Sequence, residues 1–194
     1  MIEETYFKPY ACCRWLHSSI DGLLLLMEEN SIKAESIQKI SVNIFSRALT
    51  LNNYIDPDSL EAAQYSIPFC LAVAAIEGKR GLLPMKHEFI QRSDIVAFAK
   101  KVELIGDAGF DKMFPECTPA AISIKVPESS FKKVVIHPLG EPSNPMKFSI
   151  LEDKFYKLVQ SYITLEKANM IVNTIKAIEE KNNPEELFQL IKTL

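Results

Sequence analysis

The chain is short of several things that would have fixed its class at once. It has four cysteines in 194 residues, and none of them form a C-x-x-C pair, so neither a zinc knuckle nor a thioredoxin-type site is expected. Cys12 and Cys13 are adjacent, and with Cys70 and Cys117 they are too few and too irregular for a disulfide framework; they fit a reducing cytosol. An excess of basic charge is also missing. Lys and Arg number 22 against 25 Asp and Glu, for a net charge of -3, which leaves no electrostatic footprint for a phosphate backbone. The longest apolar run, Ile67 to Ile76, is half the roughly 20 residues a bilayer span requires. The N-terminus carries Glu3 and Glu4 in place of the basic start of a signal peptide. The expectation is a cytoplasmic protein bound to neither nucleic acid nor membrane.

What is present is an ordinary globular composition, 47% hydrophobic and 24% charged, enough to build a core. Residues 1–10 read as extended around Lys8-Pro9. Ile20, Leu23, Leu24 and Met27 recur at helical spacing and predict a helix over about 18–30. Ile37 to Ile44 alternates as a strand does. Asp56-Pro57-Asp58 reads as a helix start, and Ser66 caps a second helix that ends at Gly78. Ser93-Asp94 opens another helix, followed by a short strand over 102–105. Two β-rich stretches, 121–126 and 132–137, flank Pro127 to Ser130 as a hairpin. Three prolines and one glycine then fall within Pro138 to Pro145, marking a linker or rigid loop.

Beyond that loop the pattern is wholly helical. Phe155, Leu158, Val159 and Tyr162 form one apolar face; Ala168, Ile171, Val172, Ile175 and Ile178 form another. Asn182-Asn183-Pro184 stops that helix, and Leu187, Leu190 and Ile191 begin a last one. Two or three helices are too few for a domain of their own. The expected fold class is α+β: residues 1–140 as a small domain with helices packed on a mainly antiparallel sheet, and residues 141–194 as appended helices.

Four segments carry a resemblance to a known family. Lys8-Pro9-Tyr10-Ala11-Cys12-Cys13-Arg14, with His17 and then Ile20-Asp21, resembles the K-P-Y-P-C-C-R…H…I-D segment of the MmgE/PrpD family. Ala63-Gln64-Tyr65-Ser66-Ile67-Pro68-Phe69 resembles its A-Q-F/Y-S-L-P-Y helix start. Phe114-Pro115 through Pro119-Ala120 is similar to its F-P…P-A turn, and Gly140-Glu141-Pro142-Ser143-Asn144-Pro145 to its G-D-P-x-N-P loop. The order of the four is the family order. Departures are Ala11 for proline, Cys13 where cis-aconitate decarboxylase has a histidine, and Phe69 where many members have tyrosine.

The resemblance covers the C-terminal part of family members. These are more than twice this length, with a small α+β domain set into a larger helical one that the last helices complete. It implies an N-terminal helical half supplied by a separate chain, or a homo-oligomer, as partner. It also implies proton-transfer chemistry on a small di- or tricarboxylate, of the kind that dehydrates 2-methylcitrate, with no metal and no cofactor. Such chemistry needs cationic clamps and a group that moves protons near neutral pH. Lys8 and His17 are the candidate catalytic residues, and Arg14, Cys13, Gln64 and Tyr65 the candidate substrate-binding residues. Arg14 suits two-point carboxylate binding, and His17 titrates in the useful range. This chain alone is expected to be inactive. The alternative is a non-catalytic remnant or small-carboxylate-binding module that forms a homo-oligomer.

Overall fold

The computed structural model describes residues 4–181 and 184–192, so the helix stop expected at Asn182-Asn183 and the N-terminal Met1 to Glu3 lie outside the described residues. The chain divides into two compact units, 1–146 and 147–194.

The first unit is built on a four-stranded mixed sheet. Its strands are β1 (Lys39–Ile44), β2 (Val102–Gly106), β3 (Ala120–Val126) and β4 (Ser129–Val135), in the order β2-β1-β3-β4. β1 pairs with β2 in parallel, and the β1–β3 and β3–β4 pairs are antiparallel. The fold class is therefore α+β. The last hairpin is tighter than the sequence pattern implies: Val126 pairs directly with Ser129, leaving Pro127 and Glu128 as a two-residue turn. Alternation places Ile40, Val42 and Ile44 of β1 and Ile122 and Ile124 of β3 in the core, all fully buried.

Helix α1 (His17–Glu29) lies against β3 and β4 and against α3 (Ile67–Glu77). α3 is the central helix, with nine of its eleven residues buried, which is why its sequence shows a continuous apolar run and no amphipathic stripe. Ser66 caps it by accepting from the Phe69 N–H, and Gly78 ends it at φ +69°. The short α2 (Leu60–Gln64) precedes it, capped by Ser59 immediately after the Asp56-Pro57-Asp58 signal. α4 (Ser93–Ala99) packs on α3, and α5 (Ala108–Asp111) follows β2. Trp15, Phe45 and Phe114 form an aromatic cluster, with Phe45 stacked on Phe114 at 4.5 Å and Trp15 edge-on to both.

The second unit holds α6 (Phe148–Val159), α7 (Leu165–Lys176), α8 (Ile178–Lys181) and α9 (Glu185–Lys192). The apolar row that the sequence runs through Ile178 breaks at Ala177, where α7 is capped. Tyr156 donates to Asn169 at 2.8 Å and Lys176 pairs with Glu152 at 2.9 Å, joining α6 to α7. Among the described residues, no helix is long and apolar enough to cross a membrane.

α1 reaches the sheet closely because residue 22 has no side chain. A β-carbon on Gly22 would fall onto Cδ1 of the fully buried Ile122, with Cγ1 at 3.1 Å. Gly22→Ala should therefore destabilise the fold by about 1–3 kcal/mol through overpacking, despite the ~1 kcal/mol that alanine gains in helix propensity. The Ile122→Val background removes the offending methyl. Chemical denaturation of the four proteins of this double-mutant cycle should show the penalty falling to near zero there.

Candidate functional site

The residues before α1 enter it through a single 3-10 turn, Arg14–Leu16. Two main-chain bonds hold the approach: Ala11 N–H donates to the Leu82 carbonyl at 2.8 Å, and Cys13 N–H to the Gln64 carbonyl at 2.9 Å. Tyr10, buried, donates its hydroxyl to Asp21 Oδ1 at 2.5 Å. The other Asp21 oxygen accepts the Leu139 N–H at 2.7 Å. Phe7 N–H donates to the Gly140 carbonyl at 3.1 Å. Gly140 has φ +98°, and a β-carbon there would collide with the Phe7 carbonyl oxygen, so glycine is required on both counts. These bonds clamp the loop 138–145 onto the segment 6–21.

Four side chains converge within that clamp. Arg14 donates from Nε and Nη2 to Glu141 Oε1, at 3.0 and 2.5 Å. Its guanidinium also lies over the Tyr6 ring, 4.9 Å from the centroid. Tyr6 Oη is hydrogen-bonded to His17 Nδ1. His17 Nε2 faces the Cys12 carbonyl at 3.4 Å, and the edge of Tyr10 packs on the imidazole at 5.2 Å.

The structure distributes the residues singled out from sequence unevenly. His17 is fully buried, and Arg14 is committed to Glu141 with 35% of its side chain exposed. Lys8 is exposed on the turn, where its charge acts on both Cys12 and Cys13. Cys13 is half-buried, and burial pushes its thiol up. Gln64 meets the loop through its main chain, and Tyr65, which caps α2, is 44% exposed.

Cys12 and Cys70 are buried neighbours. Hydrogen-bonding interaction with the neighbouring Cys70 thiol, followed by His17 and Lys8, holds the free Cys12 thiol below its ordinary range against the effect of burial. Burial pushes the Cys70 thiol well up. Among the described residues, no group of three or more His, Cys, Asp or Glu is placed to hold a metal ion.

Sequence reasoning missed Tyr6 and Glu141 as members of this cluster, and Tyr10 and Asp21 as its supports. Three of these stand inside quoted motifs, so the motif was visible while the side-chain role was not. Tyr6 precedes the motif and carried no signal beyond being aromatic.

The family model for the MmgE/PrpD C-terminal domain matches residues 10–180. Arg14, His17, Gln64, Tyr65 and Glu141 fall inside the match; Tyr6 and Lys8 precede it. No curated protein matches the chain.

Burial, then the negative charge of Asp21 and its hydrogen bond, push the Tyr10 phenol far above its ordinary value of 10. In the unfolded chain Tyr10 ionises near pH 10, so the folded state retains a proton that the unfolded state loses. Its contribution to stability is complete below pH 10 and falls as pH rises beyond it, by about 1.4 kcal/mol per pH unit. Urea unfolding between pH 9 and pH 11.5 should show the slope reduced by one proton in Tyr10→Phe relative to wild type.

Proposed function

Since the chain belongs to the MmgE/PrpD family, we propose that it is the C-terminal part, or subunit, of a cytoplasmic lyase or isomerase that acts by proton transfer on a small di- or tricarboxylate. The reaction is of the 2-methylcitrate dehydratase type, needs no metal or organic cofactor, and requires an N-terminal helical half supplied by a second chain. The observation that carries this reading is the convergence of the Arg14 guanidinium with a hydrogen-bonded Tyr6–His17 pair at the start of α1, with Lys8 exposed on the turn before it. Lys8 meets one substrate carboxylate and stabilises the charge that develops beside it when the neighbouring carbon loses its proton. His17 is the ultimate acceptor of that proton. Arg14 grips a second carboxylate; the Glu141 carboxylate now on it has the chemistry such a ligand brings. Cys13, Gln64 and Tyr65 are proposed as further substrate-binding residues.

The need for a helical partner is supported by the second unit. Tyr162 is 85% exposed, Leu165 70%, and Phe188 53%, and apolar side chains in that number are unusual on a soluble surface.

Arg14–Glu141 pairing also favours a second reading, in which the chain is a homo-oligomeric carboxylate-binding module with no catalysis of its own. Co-expression with the N-terminal half of a family member separates the two. The enzyme reading expects a stable complex that turns over a small tricarboxylate, with Lys8→Ala lowering kcat about 10²–10⁴-fold. The binding-module reading expects no complex and no turnover, but a citrate-induced rise in Tm that Lys8→Ala abolishes.

A further inference from the structure

We propose that Tyr6, not His17, is the residue that exchanges a proton with the ligand, and that His17 acts through it from behind as the proton acceptor. This rests on the proton-transfer reading above. His17 is fully buried and so meets no ligand itself, whereas Tyr6 is only half-buried. The Tyr6 ring tilts against the imidazole with centroids 5.6 Å apart, and the Tyr10 edge closes another side.

The direction of the hydrogen bonds follows from the partners. The Cys12 carbonyl, 3.4 Å from Nε2, can only accept, so Nε2 carries the imidazole proton. Nδ1 then presents a lone pair and accepts from the Tyr6 O–H. Tyr10 does not compete for either nitrogen, because its hydroxyl is spent on Asp21, and Asp21 is filled by Tyr10 and the Leu139 N–H. The free thiol of Cys12 is a further titratable group beside the ring.

The step balances as a two-proton relay. The ligand C–H proton passes to Tyr6 Oη while the phenolic proton passes to His17 Nδ1. The C–H electron pair stays on carbon, delocalised toward the adjoining carboxylate. Tyr6 ends neutral, His17 ends as imidazolium, and its positive charge balances the carbanion. Burial, then the Glu141 charge, hold the Tyr6 phenol well above its ordinary range, and Arg14 over the ring works against them; the relay keeps the phenol neutral at its start and its end.

The test is ¹⁵N-resolved NMR of His17 in the purified full chain, for wild type, Tyr6→Phe and Tyr10→Phe. The wild type should show the Nε2–H tautomer at neutral pH. Tyr6→Phe should convert it to a tautomer mixture, and Tyr10→Phe should leave the tautomer as it was. An Nδ1–H tautomer in wild type, an unchanged tautomer in Tyr6→Phe, or an equal change in Tyr10→Phe overturns the proposal. If Tyr6→Phe does not fold, 3-fluorotyrosine at position 6 keeps the hydrogen bond while making the phenol more acidic; the Nδ1 resonance should move, and a stationary resonance overturns the proposal. In the co-expressed complex, Tyr6→Phe should lower kcat at least 100-fold with KM nearly unchanged, and kcat held at the wild-type value overturns the relay. A complex whose wild type turns over nothing defeats the enzyme reading and the relay's catalytic role together, while the tautomer result separately decides the Tyr6–His17 arrangement.

Discussion

The Asp21 carboxylate is the joint on which the candidate site depends. It accepts from Tyr10, 11 residues before it, and from the Leu139 main chain, 118 residues after it. A buried carboxylate is tolerable only when donors satisfy it, and here the donors belong to segments that sequence keeps apart. Because Asp21 sits one turn beyond His17 in α1, the same bonds that satisfy it also set the Tyr10 ring edge against the imidazole. Removing this carboxylate would free Tyr10, the 138–145 loop and one wall of the His17 pocket together.

The loop contributes through its own geometry. Gly140 lets the chain turn against Phe7 with no room for a β-carbon, and the next residue, Glu141, is delivered to Arg14. The breaker-rich stretch, read in sequence as a linker or rigid loop, is thus an anchored wall of the site. Pro and Gly report where the backbone turns; they say nothing of whether the turn is anchored. Here the anchors are main-chain N–H groups and carbonyls, which every residue has and no sequence pattern advertises.

That distinction accounts for what could be read beforehand. α1, α3, β1 and the β3–β4 hairpin follow from apolar period, the Ser66 cap and the Gly78 stop, all local quantities. The motif Lys8 to His17 and the loop at Gly140 were legible as resemblance, and the family match over 10–180 agrees with it. The partners within the site were not legible, because Tyr6–His17 spans 11 residues and Arg14–Glu141 spans 127. Arg14 read as a candidate carboxylate clamp and His17 as a candidate proton carrier, by residue type and motif alone. Folding gave the first an internal carboxylate and placed the second behind a phenol.

The Arg14–Glu141 pair has a consequence for any ligand under the proposed function. A carboxylate arriving at Arg14 does not meet a vacant cation; it replaces a carboxylate whose side chain is only 8% exposed. The exchange trades one charge-assisted pair for another, so its net gain is small compared with filling an empty site. Affinity must then come from elsewhere on the ligand, and under the proposed function Lys8, exposed on the turn before α1, takes a further carboxylate. A monocarboxylate would have to choose between the exchange at Arg14 and the contact at Lys8. A di- or tricarboxylate makes both, and the second contact offsets the cost of releasing Glu141. Under the proposed function, selectivity for ligands with several carboxylates would therefore come from the internal ion pair as well as from the two positive charges.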